Sequence, residues 1–119
     1  MSLDFKLPEF PNPYEVQSKH FMETVRRVRQ TMESKAKPDQ IVELSYSNGF
    51  EPIFIGSIQV DQKIAMAILT GVDRDGNPTN VMAHVSTIQL VWKLVPKEKL
   101  KENHIGFTGV TVDQKEAEQ

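Results

Sequence analysis

The chain contains no cysteine, which excludes a disulfide framework and any thiolate chemistry and suits a reducing, cytoplasmic setting. It also lacks a long apolar run. The longest mostly apolar stretch, residues 64–70, is far too short to span a bilayer, so no membrane association is expected. Asp4, Lys6 and Glu9 interrupt residues 1–10, which leaves no apolar core for a signal peptide. Basic charge is not in excess: 14 Lys and Arg stand against 16 Asp and Glu, for a net charge of -2. That balance speaks against a general electrostatic grip on nucleic acid. What remains is 119 residues, 39% of them hydrophobic, enough for one domain with a core of its own. A chain of this size buries roughly two-thirds of its unfolded surface.

The charge is unevenly placed. Residues 13–37 carry six basic side chains and three acidic ones, for +3, whereas residues 38–95 carry six acidic and three basic, for -3. The basic segment reads as a helix over residues 13–34. Asn12 is a suitable N-cap, Pro13 suits the first helical position, and Glu15 stands where a capping box needs it. Tyr14, Phe21, Val25, Val28 and Met32 then recur at helical spacing as a narrow apolar stripe. Core packing is its simplest use, and pairing with another subunit the sharper one.

From Ile41 the period changes to two. Val42, Leu44 and Tyr46 alternate with Glu43 and Ser45, and Ser47-Asn48-Gly49 follows as a turn. A second strand covers residues 50–60, with Pro52 near its start and Gly56 in the middle, where a bend is permitted. Asp61-Gln62-Lys63 turns the chain into a third strand, 64–72. Asp73-Arg74-Asp75-Gly76-Asn77-Pro78 is the strongest turn signal, and strands at 79–85 and 88–95 complete the set. The fold class expected is mainly β with one N-terminal α-helix: a five-stranded, strongly bent antiparallel sheet, or small open barrel. The division is an N-terminal extension 1–12, a domain 13–96 (helix 13–34, sheet 41–95) and a polar C-terminal tail 97–119.

Signals of catalysis are weak. His20, His84 and His104 are not at metal-ligand spacing. The Asp73 turn fails the EF-hand pattern, because Gly76 is its fourth residue rather than its sixth and His84 occupies the twelfth place reserved for Glu. No phosphate loop, nucleophile elbow or carboxylate pair is visible, so no catalytic residue, metal or cofactor is assigned. His84 closes a strand beside the short link Val85-Ser86-Thr87. Arg26, Arg27 and Arg29 crowd the helix, where solvated surface charge is the ordinary reading.

The order of elements, a helix and then five strands with a bent second one, resembles the Sm-like (LSm) family. Asn48-Gly49, Gly56-Ser57-Ile58 and Asp61-Gln62 are similar to the first motif of that family in its bacterial RNA-chaperone (Hfq) form. Ala83-His84-Val85-Ser86-Thr87-Ile88, running on to Val95-Pro96, is similar to the second. The resemblance covers residues 13–96. It implies a homo-oligomeric ring closed by pairing strand four of one subunit with strand five of the next, binding single-stranded RNA in an RNA-chaperone or RNA-processing role. It places RNA contacts at Asp61, Gln62, Lys63, His84 and Ser86, with Arg26, Arg27 and Arg29 as a secondary basic surface. Three departures matter. Residues 50–55 are longer than the pattern, Ala83 stands where a Lys is expected, and Lys63-Ile64 replaces an aromatic after Asp61-Gln62. The acidic sheet, the missing Lys at Ala83 and the missing aromatic after Gln62 favour the other expectation, a small-barrel structural or protein-interaction module that oligomerises without nucleic acid.

Overall fold

A computed structural model describes residues 12–47, 49, 51–98 and 106–112. The helix α1, Pro13–Lys35, begins as its sequence dictates: the Asn12 side chain accepts a hydrogen bond from the Tyr14 N–H at 2.9 Å. It stops at Ala36, which is extended (φ -70, ψ 136), just ahead of Pro38. Ser18, Met22 and Val25 are its buried residues, with Phe21 packed beside them. The expected stripe is therefore rotated. Tyr14 is 47% exposed, and Ser18, a polar residue, fills the gap between Tyr14 and Phe21 at 0% exposure.

Five strands follow: β1 (Gln40–Ser47), β2 (Pro52–Asp61), β3 (Met66–Val72), β4 (Pro78–His84) and β5 (Leu90–Pro96). They lie in the order β4-β3-β2-β1-β5, each neighbour antiparallel. The third strand starts two residues later than expected because residues 62–65 form a turn. The fourth ends at His84 and the fifth starts at Leu90, because Val85–Thr87 is a single turn of 3-10 helix.

The bend in β2 is written in its apolar residues. Ile53 and Ile55 are buried, and then Ile58 and Val60, so the alternation slips by one residue at Gly56. The ladder to β3 slips at the same place, from Ile55–Gly71 to Ser57–Thr70. One extra residue on one strand is a β-bulge, and it bends the strand. Across from it Gly71 is required, since a Cβ there would overlap the Phe54 carbonyl. The bend wraps the sheet around Leu44, Ile55, Ile58, Val60 and Leu69, all at 0% exposure. Burying each such side chain contributes roughly 1.5–3 kcal/mol.

The sheet has six strands rather than the five expected. β6, Gly109–Val112, lies within the segment read as a polar tail and pairs in parallel with Ser57–Val60 of β2. The bulge explains its docking. Gly56 is skipped by the β3 ladder, and its carbonyl accepts from both the N–H (2.6 Å) and the Oγ1 (2.8 Å) of Thr108. Phe107 and Val110 join the core, with Phe107 edge-on to Trp92 at 5.6 Å. No helix among the described residues is long and apolar enough to cross a membrane.

Candidate functional site

Residues 62–65 link β2 to β3, and the 3-10 turn links β4 to β5. The register Met66–His84 puts both links at one end of the β3–β4 ribbon. There the Val85 N–H donates to the Ala65 carbonyl at 2.9 Å, tying the two loops together. Ala65 is fully buried at φ 54, a left-handed conformation that turns its carbonyl into this bond. The first turns of α1 lie against the same loops. Asn12 Nδ2 donates to the Lys63 carbonyl and Ser18 Oγ to the Gln62 carbonyl, each at a long 3.4 Å.

Within this cluster Asp61 Oδ1 accepts from the Lys63 N–H at 3.1 Å and shapes the turn. His84 is fixed more tightly. Its Nδ1 accepts from the Ser86 N–H at 3.2 Å and lies 2.8 Å from Ser86 Oγ. A backbone N–H can only donate, so Nδ1 is the acceptor and the neutral ring carries its proton on Nε2. The imidazole thus offers an N–H donor on the side away from Ser86. Thr87 Oγ1 donates to the His84 carbonyl at 2.8 Å and completes the turn. Tyr14 stands against this ring, centroids 5.7 Å apart and planes at 74°.

The structure therefore brings together Asp61, Gln62, Lys63, His84 and Ser86, which lie as far as 25 positions apart in sequence. Two open grooves flank the adjoining part of α1. One, of about 440 Å3, includes Lys19, Arg26 and Gln62; the other, of about 390 Å3, includes Val16, His20, Phe21, Val85 and Ser86. His20 is thus on a groove wall, and His104 lies outside the described residues.

The secondary basic surface divides. Arg26 and Arg27 are exposed on α1. Arg29 is instead a clamp: Nε pairs with Glu33 at 2.8 Å, Nη1 and Nη2 donate to the Thr108 and Phe107 carbonyls at 3.0 and 3.1 Å, and the guanidinium sits 5.3 Å from the Phe107 ring centre. Among the described residues no three His, Cys, Asp or Glu side chains gather as metal ligands.

Sequence reasoning missed Asn12, Tyr14 and Ser18 as part of this cluster. The usable signal was the gap at Ser18 in the apolar stripe, a polar residue where a core residue was due. Comparison with models of protein families, with curated proteins and with solved structures finds no match for this chain.

Proposed function

We propose that this protein is an Sm-like protein that assembles into a homo-oligomeric ring and binds single-stranded RNA, in an RNA-chaperone or RNA-processing role in the cytoplasm. The observation that carries the reading is the Val85–Ala65 hydrogen bond of 2.9 Å, which holds the two motif-bearing loops side by side. Strand order supports it as well. β4 and β5 are the two outer strands of the path, and each presents an exposed apolar side chain, Met82 at 68% and Val91 at 42%. Unpaired edges of this kind are templates for another strand. Pairing β4 of one subunit with β5 of the next is head-to-tail and closes into a ring. Repetition of a weak site around the ring then raises avidity without a strongly basic monomer.

In this reading Lys63 meets the phosphate backbone, the His84 Nε2–H and Ser86 donate to phosphate or base, and Asp61 and Gln62 shape the base pocket. Stacking and edge contacts to unpaired bases are how single strands are read. A second reading, an interaction module without nucleic acid, is favoured by Ala83, by the missing aromatic after Gln62, and by the use of Arg29 as a clamp.

Light-scattering mass together with the 260/280 nm absorbance ratio of the purified protein separates the readings. A monomer removes the ring, and a ring free of nucleic acid that ignores oligonucleotides at low salt favours the second reading. For the first reading, Lys63→Ala combined with His84→Ala weakens binding of short U-rich or A-rich RNA about a hundredfold, with the oligomer mass unchanged. Undiminished binding by that variant sinks the site.

A further inference from the structure

We infer that Tyr14 is the base-stacking residue of this site, receiving an unpaired nucleobase on its ring with His84 as the perpendicular wall; the inference rests on the RNA reading above. A single-strand site needs a flat π face, and neither loop provides a Phe, Tyr or Trp: residues 61–65 are Asp, Gln, Lys, Ile and Ala, and residues 84–87 are His, Val, Ser and Thr. Elsewhere the described Phe, Tyr and Trp side chains are at least partly buried: Phe107 is buried, and Phe21, Tyr46, Phe54 and Trp92 are half-buried. Trp92 and Phe107 pack on each other, and Phe21 and Tyr46 pack on the core. Tyr14 is the aromatic among the described residues that counts as an exposed large side chain, at 47%.

Its placement fits the role. The ring is edge-on to His84 at 5.7 Å and 74°, and a T-shaped contact covers at most one of its two faces. Its backbone is fixed, because its N–H is held by Asn12 Oδ1 at 2.9 Å and the Asn12 amide reaches the Lys63 carbonyl. A stacking ring on the first turn of a 23-residue helix, tied to the loop that carries Lys63, is preorganised. The His84 ring that meets Tyr14 also carries the Nε2–H, a donor for a base carbonyl or a phosphate oxygen. The aromatic absent after Gln62 is thereby supplied from the helix, 48 positions earlier in the chain.

The test measures fluorescence anisotropy of 5′-labelled U6 and A6 on the full-length protein and on Tyr14→Ala, Tyr14→Phe and Tyr14→Trp. Stacking predicts binding weakened about ten- to a hundredfold in Tyr14→Ala and changed by no more than about twofold in Tyr14→Phe. It also predicts quenching of the added indole emission in Tyr14→Trp when RNA is bound, against the constant background of Trp92. Circular dichroism and oligomer mass stay as in the wild type, since Tyr14 is exposed and alanine favours helix. If the wild type binds and Tyr14→Ala binds equally well, the stacking role falls and the RNA reading stands. Equal losses in Tyr14→Phe and Tyr14→Ala also overturn it, by pointing to the hydroxyl. If the wild type binds neither oligomer, the RNA reading falls and takes this inference with it.

Discussion

The two ends of the β3–β4 ribbon are built on opposite plans. At one end the hairpin loop closes on itself. Asp73 Oδ1 accepts from the N–H groups of Asp75 and Asn77 at 2.9 and 2.8 Å, Oδ2 from Asn77 Nδ2 at 3.2 Å, and Gly76 supplies the left-handed φ of 83. At the other end the links also make local bonds, but each is tied to something distant as well: Ala65 to Val85, Gln62 to Ser18, Lys63 to Asn12. A loop that satisfies its own polar groups leaves little for a ligand. Links tied through their backbone to other elements hold Tyr14, on α1, and His84, at the end of β4, against one another. The end with the weaker local signal is thus the better place for a site.

The largest effect expected on this contrast comes from the buried left-handed residue. Ala65→Val adds a β-branched side chain at φ 54 and 0% exposure, combining backbone strain with overpacking for about 3 kcal/mol of lost stability. The matching change at the far end, Gly76→Ala at φ 83, costs about 1 kcal/mol because that position has only local geometry to lose. Urea denaturation of the two variants measures the gap. Equal losses would mean that the loop pair is no more constrained than the hairpin.

Asn12→Ala comes next. Losing an N-cap costs about 1 kcal/mol. Here it also releases the Lys63 carbonyl, so under the proposed RNA-binding function affinity is expected to fall along with the melting temperature. A drop in melting temperature with unchanged affinity would show that the helix start is a passive neighbour of the loops.

The same contrast explains what was readable beforehand. The Asp73–Pro78 turn, the Asn12 cap and the strands of alternating period depend on residues close in sequence, and each is found within about two residues of where its pattern put it. The bend at Gly56 was legible for the same reason, and the slip from Ile53 and Ile55 to Ile58 and Val60 would have located it independently. β6 was passed over inside a stretch read as a polar tail, although Phe107, Val110 and Val112 are apolar there; what the local pattern could not show is its dock, Thr108 on the Gly56 carbonyl 52 positions earlier. Arg29 looked like surface charge for a similar reason, since its partners Phe107 and Thr108 lie in the segment leading into that unseen strand. Of the candidate site, Asp61, Gln62, Lys63, His84 and Ser86 were accessible through resemblance to short motifs. Tyr14 was not, because its spacing matched the apolar stripe and only the tertiary structure shows that the stripe has turned away from it.

The smallest effect belongs to the self-contained hairpin, and it depends on pH. The Asn77 N–H is the largest influence lowering the Asp73 carboxyl below its ordinary value of 3.8; desolvation, next in size, opposes it, and the Asn77 amide and the Asp75 and Gly76 N–H groups add to the lowering. A depressed folded value means that the unfolded chain binds the proton first as acid is added. Above 3.8 the carboxyl is ionised in both states and its contribution is fully present. As pH falls below 3.8 the contribution declines, and it is gone once the folded value is passed. Asp73 is exposed, so solvent screening keeps the effect small. Asp73→Asn retains the shape and removes the charge. The difference in melting temperature between this variant and the wild type is therefore constant above about pH 5 and shrinks towards acid. Under the proposed RNA-binding function the affinity is expected to be the same in both, because the loop lies at the other end of the ribbon from His84. A melting difference that ignores pH would place the carboxylate's role in shape alone, and a change in RNA affinity would undo the separation of the two ends.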